Sequence, residues 1–187
     1  MDRIPFPGET ADARARAIVA LQLGRDPRGE IAIAGRCRYG LPGVIRTSPR
    51  LADGTPFPTL FYLSCPVAVR SAGALEAEGR MRALEQLLAE NPSLREAYQD
   101  AHRRYIARRD SLEQLDEPMS AGGMPERVKC LHALYAHEVA DANPVGALVR
   151  EQIDPDACPG PCVAEDADGA PARVAGHPGF AGKKRRR

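Results

Sequence analysis

Apolar residues recur at helical spacing in some stretches of this chain and in short β-rich runs in others. Between residues 10 and 23, Ala17, Ile18 and Leu21 share one face, Thr10 can cap the start, and Gly24 with Pro27 ends the pattern. Residues 31–37, 44–47 and 59–65 are then short runs of β-branched and aromatic side chains. They are divided by Gly40-Leu41-Pro42-Gly43 and by Asp53-Gly54-Thr55-Pro56. Dividers of this kind predict tight connections and a small, mostly antiparallel sheet of about three strands.

Helical spacing returns over 74–90, where Ala77, Met81, Leu84 and Leu88 form a stripe. Asn91-Pro92 ends that helix and opens another, because Asn caps and proline suits the first helical position. Leu94, Tyr98, Ala101, Tyr105, Leu112 and Leu115 give the second helix a buried seam reaching about residue 115. A loop over 117–123 leads to a helix expected over 125–142, closed by Asn143-Pro144, with a further turn over 145–151. The expected fold class is α+β, with the sheet packed against three to four helices in one compact domain over residues 1–151. Residues 152–187 hold ten Gly or Pro and almost no large apolar side chain, which predicts a flexible tail.

Composition changes this picture little. Hydrophobic residues make up 43% and charged residues 27% of 187, and Trp is absent, so Ala, Leu and Val must fill most of the core. A net charge of +1 gives the whole chain no strong pull toward nucleic acid or anionic lipid. No apolar run approaches the roughly 18 residues of a membrane span. The first residues lack the apolar core of a secretory signal, and five cysteines is an odd number. These features predict a cytoplasmic protein with reduced thiols and no membrane partner. Local basic clusters exist: Arg103, Arg104, Arg108 and Arg109 on one helix, and Lys183, Lys184, Arg185, Arg186 and Arg187 at the terminus. Both suit weak, salt-dependent contact with nucleic-acid backbone, but the spacing of the helical set better suits a solvated face, and the terminal set equally suits a solubilising end.

The candidate chemistry centres on cysteine and histidine. Cys37 and Cys65 end strand runs, Cys130 falls in the expected last helix, and His137 lies seven residues beyond it. At about 100° per residue, seven residues return to the same side of a helix. A Cys37, Cys65, Cys130 and His137 set would suit zinc, or an iron–sulfur cluster if the thiolates dominate. There is no CxxC spacing in the domain, and the same cysteines suit small buried core positions. Cys130 activated by His137, with Glu138 for proton transfer, is the catalytic alternative. His132 falls on the opposite side of the wheel and reads as a core or interface histidine. Cys158 and Cys162 form a CxxxC in the tail that can chelate or pair as a labile disulfide. Gly122-Gly123-Met124-Pro125, followed by Arg127 and Lys129, suggests an anion at the start of the last helix. No P-loop, GxSxG, HExxH or GxGxxG pattern is present.

Two stretches, RCRYGLPGVIRTSPRLADGTPFPTLFYLSCP over 36–66 and GGMPERVKCLHALYAHEVADANPVG over 122–146, together resemble the bacterial domain of unknown function 501 family (DUF501) of actinobacterial type. The resemblance covers residues 12–150. It implies a cytosolic bacterial protein without an assigned reaction, and, through gene neighbourhood, a partner in cell division or phosphate metabolism. The residues thus leave two readings open. One is a domain binding metal or an anionic ligand. The other is a cofactor-free adaptor for protein or RNA.

Overall fold

The computed structural model describes residues 1–115, 120–153 and 157–181. The basic terminal residues 183–187 lie outside them. The fold is α+β. In chain order the elements are β1 (Asp2–Arg3), β2 (Glu9–Thr10), α1 (Ala13–Leu23), β3 (Ile31–Arg36), β4 (Pro42–Thr47), β5 (Phe61–Leu63), α2 (Pro66–Ala77), α3 (Arg80–Glu90), α4 (Pro92–Asp110), α5 (Leu131–Asp141), α6 (Pro144–Arg150), β6 (Val163–Glu165) and β7 (Pro171–Arg173), followed by a 3-10 turn at Pro178–Phe180.

β3, β4 and β5 are the expected antiparallel core, with Ile33 opposite Ile45 and Ile45 opposite Tyr62. Two short N-terminal strands, β1 and β2, both pair with β3 and bring the sheet to five strands. Side chains alternate across a strand, so each face needs its own cover. Val19 of α1 packs with Ile31, Ile33 and Ile45 on one face. Ala34, Val44, Phe61 and Leu63 on the other join the main core with α2, α4 and α5. The sheet is therefore a middle layer, which explains why β3 and β4 read as nearly continuous apolar runs. Gly35 sits where α5 crosses: a Cβ there would lie 2.5 Å from Val139 Cγ1.

The helices depart from expectation in three places. The run expected over 74–90 is two helices, because Gly79 adopts φ 80° and ends α2 in the left-handed region. α2 itself begins at Pro66, eight residues before the expected start at 74. The last long helix begins at Leu131, not at 125, since the amides of Arg127 and Lys129 close a turn back onto the Gly123 and Gly122 carbonyls.

α4 starts as predicted, with Asn91 Oδ1 accepting from Leu94 N. Its basic face is largely committed within the fold. Arg104 donates to Ala142 O, Arg108 pairs with Asp141, and Arg109 is buried beside Asp110. Tyr105, fully buried on the same helix, accepts from Leu60 N at 2.5 Å and donates to Pro58 O at 3.0 Å. It thereby satisfies two backbone groups of the irregular stretch entering β5. Tyr105→Phe leaves both unpaired and is expected to cost about 1–3 kcal/mol, measured as a fall in the urea midpoint. An unchanged midpoint would mean that water reaches these groups.

Residues 157–181, read from composition as flexible, carry local order instead. β6 and β7 pair as a hairpin, with Cys162 and Val163 buried against Ile18 of α1. Arg14 pairs with Glu165 at 2.6 Å, and Arg173 donates to Leu21 O at 2.7 Å. A few contacts to α1 supply the burial that the segment's own composition lacks. No helix among the described residues is long and apolar enough to cross a membrane.

Candidate metal centre

Two chain segments, α2 and the residues entering α5, meet at the start of α5. Cys130 is the N-cap residue of that helix, with extended backbone (φ −152°), and offers no side-chain cap. The first amide of the helix would otherwise lack a partner, and Glu76 of α2 supplies one: Leu131 N donates to Glu76 Oε1 at 2.7 Å. The same carboxylate oxygen lies 3.0 Å from His132 Nδ1, and Cys130 Sγ lies 3.9 Å from that nitrogen. The other ring nitrogen, Nε2, is 3.0 Å from Val69 O. A hydrogen bond with Cys130, aided by the Glu76 carboxylate, raises His132 to about 9 against the opposing effect of burial.

One ligand atom from each of Glu76, Cys130 and His132 lies within 4.8 Å of the other two, and among the described residues no other group of three or more His, Cys, Asp or Glu meets this spacing. Tetrahedral zinc holds its ligand atoms roughly 3–4 Å apart, so the spacing fits a single ion with little movement. Val69 O holds the proton on Nε2, so Nδ1 is the ligating atom once metal displaces its own proton, the usual support for a metal-bound histidine. The same arrangement argues against a proton relay. Cys130 and Glu76 both approach Nδ1 while Nε2 is occupied, so the ring has no second free nitrogen through which to pass a proton.

Cys130 and His132 open onto a cleft of about 720 Å³. Phe61, Leu63 and Val69 supply apolar wall, and Arg70 stands at the side. Gln22 and Ser64 also line it, and their Oε1 and Oγ atoms are buried without a hydrogen-bond partner among the described residues. The turn at Pro178–Phe180 closes part of the mouth, where Arg70 donates to Pro178 O and to Ala181 O.

The four residues joined by sequence spacing do not assemble. Because α5 begins after Cys130, the same-side relation with His137 does not hold. His137 is fully buried, stacked near Phe61 and edge-on to Tyr105, with Nδ1 3.1 Å from Asn143 Nδ2. Burial, then the charges of Arg104, Arg3 and His102, push it down to about 3, so it is a neutral core residue. Cys37 and Cys65 line a second cavity without Cys130 or His137. Glu138 also serves the fold, with Oε2 accepting from Asn143 N at 2.8 Å and Oε1 pairing with Arg150 at 2.9 Å. Arg127 and Lys129 are exposed on the turn before α5, and the helix end expected to hold an anion there is absent. The amides of 127, 128 and 129 already donate to Gly123 O, Glu85 and Gly122 O.

A family model described as "Protein of unknown function (DUF501)" matches residues 33–151. The chain belongs to the DUF501 family. No curated protein and no solved structure matches it. The DUF501 match contains Glu76, Cys130 and His132, and every element that positions them: α2, β5 and α5.

Sequence reasoning set His132 aside because a helical wheel was applied to a residue that precedes the helix. Glu76 had no local signal at all, lying 54 positions before Cys130 in an apolar helix. The available clue was the cap position itself. A Cys where Ser, Asp or Asn normally stands leaves an amide needing a partner from elsewhere.

Proposed function

We propose that this protein is a metal-binding domain in which Glu76, Cys130 and His132 hold one divalent ion, zinc by the chemistry of the donors, at the wall of a ligand cleft. The convergence of these three ligand atoms within 4.8 Å carries the reading. Three protein ligands leave a fourth position for water or a ligand, the pattern of catalytic rather than structural zinc. Such an ion supplies Lewis-acid activation of a bound water or carbonyl.

Metal analysis of protein purified without chelator tests this directly. About one zinc per chain is expected, with affinity in Cys130→Ser and His132→Ala reduced by more than the roughly 10–100-fold that loss of an outer partner costs. Glu76→Gln is the folding control, because its amide oxygen still accepts from Leu131 N. Metal-free wild type that takes up no zinc would leave the cofactor-free adaptor reading in its place, and zinc retained in both variants would overturn the assignment to these three residues.

A further inference from the structure

A second group of cysteines lies apart from the cleft. Cys37, Cys65 and Cys158 line one cavity of about 260 Å³, walled by Met1, Val67 and Tyr135. They come from three separate segments: the turn after β3, the residue before α2, and the chain beyond α6. Tyr39 Oη donates to Cys158 O at 2.9 Å and holds the third segment against the first. Cys162 follows, buried, with Sγ 3.5 Å from Gln22 Nε2. None of these thiols is in a disulfide. Burial raises Cys65 to about 11, with Cys37 and Cys162 adding to it, and Cys162 responds likewise to burial and then to Cys37 and Cys158. Each buried thiol therefore feels two of the others.

We infer that Cys37, Cys65, Cys158 and Cys162 hold an iron–sulfur cluster. Three thiols around one cavity, with Cys162 four positions beyond Cys158 as the fourth, are the donor set and the shell such a cluster takes. The spacing separates this site from the first. No three of these sulfurs fall within the 4.8 Å that one ion needs, whereas a cluster places iron and sulfide between its thiolates. Cys65 is the N-cap residue of the 12-residue α2, so its thiol stands at the positive end of that helix. The helix dipole opposes the effect of burial there, and metal binding would remove the proton that burial retains. Arg38 and Arg150 also line the cavity and offset the negative charge of a thiolate-ligated cluster. The assembly ties residues 158–162, otherwise held by few contacts, to the edge of the domain.

The test is anaerobic purification of the full chain, followed by reconstitution with ferrous iron and sulfide. Broad visible absorption is expected, with iron and acid-labile sulfide in equal amounts, lost in Cys65→Ser and in Cys158→Ser. Cys158 is only partly buried, so its variant folds even if the Cys65 variant does not; circular dichroism checks both. Cys130→Ser must keep the chromophore, which separates this site from the zinc centre whatever the fate of that reading. A folded wild type that stays colourless, a chromophore that survives Cys158→Ser, or one lost in Cys130→Ser would each overturn the inference, as would a single zinc on these thiols.

Discussion

Gly146→Ala is expected to lower stability by about 3 kcal/mol or more, at the upper end of what overpacking costs. A Cβ at this position would lie 2.2 Å from Leu134 O and 2.6 Å from Glu138 Cβ. The obstacle is a backbone carbonyl inside α5, so no rotamer change relieves it. α6 would have to move away, and Asn143 opposes that. Its Oδ1 accepts from Gly146 N, its Nδ2 reaches His137, and its own N–H is held by Glu138. Gly35→Ala is the informative comparison. Its nearest neighbour is the tip of Val139, at 2.5 Å, and a side chain can yield where a carbonyl cannot. Urea unfolding should give a much larger midpoint shift for Gly146→Ala, with m unchanged. Similar, small shifts in both would mean that α6 separates from α5 at little cost.

Acid should unfold this protein earlier than its carboxylates alone require, because of His137. An unfolded chain protonates this histidine below about pH 6.5, whereas the folded protein resists until about 3. Between those values the unfolded state binds more protons. Stability therefore falls as pH falls, by about 1.4 kcal/mol per unit, and the contribution is fully present only above pH 6.5. At pH 4 the accumulated loss is about 3 kcal/mol. The groups around the ring reinforce the sign: Arg104 of α4 and Arg3 of β1 carry positive charge, His102 adds to them, and Asn143, Phe61 and Tyr105 carry none. His137→Gln keeps an acceptor for Asn143 Nδ2 and removes the titration. Subtracting its pH–stability curve from that of the wild type isolates the effect. Parallel curves from pH 7 to 4 would show that His137 reaches solvent when protonated.

Much of the fold was legible because its signals are local. The three core strands follow from β-branched runs between turn residues, and the starts of α4 and α6 follow from Asn-Pro pairs whose asparagines do cap. What escaped depended on partners distant in sequence. β1 and β2 are two residues each and exist only because β3 has an open edge. The β6–β7 hairpin owes its order to α1, more than 130 residues earlier. The candidate metal centre was half legible. Cys130 drew notice as a cysteine near a histidine, but the histidine that meets it is His132. That pairing depends on an extended cap residue, where helical periodicity does not apply.

The span that matches the family begins inside β3 and stops at residue 151. A gene fragment cut to those limits would lose Val19, the cover over Ile33 and Ile45, and leave one face of the sheet wet. It would also lose Arg3, whose guanidinium takes the Glu138 and Val139 carbonyls near the end of α5. The lost segments include α1 and the hairpin, which pack on each other beyond both ends of the match. For expression and crystallisation, the limits of family likeness are thus poor cutting points, and the two flanks must be kept together or removed together with a replacement for the apolar face they cover.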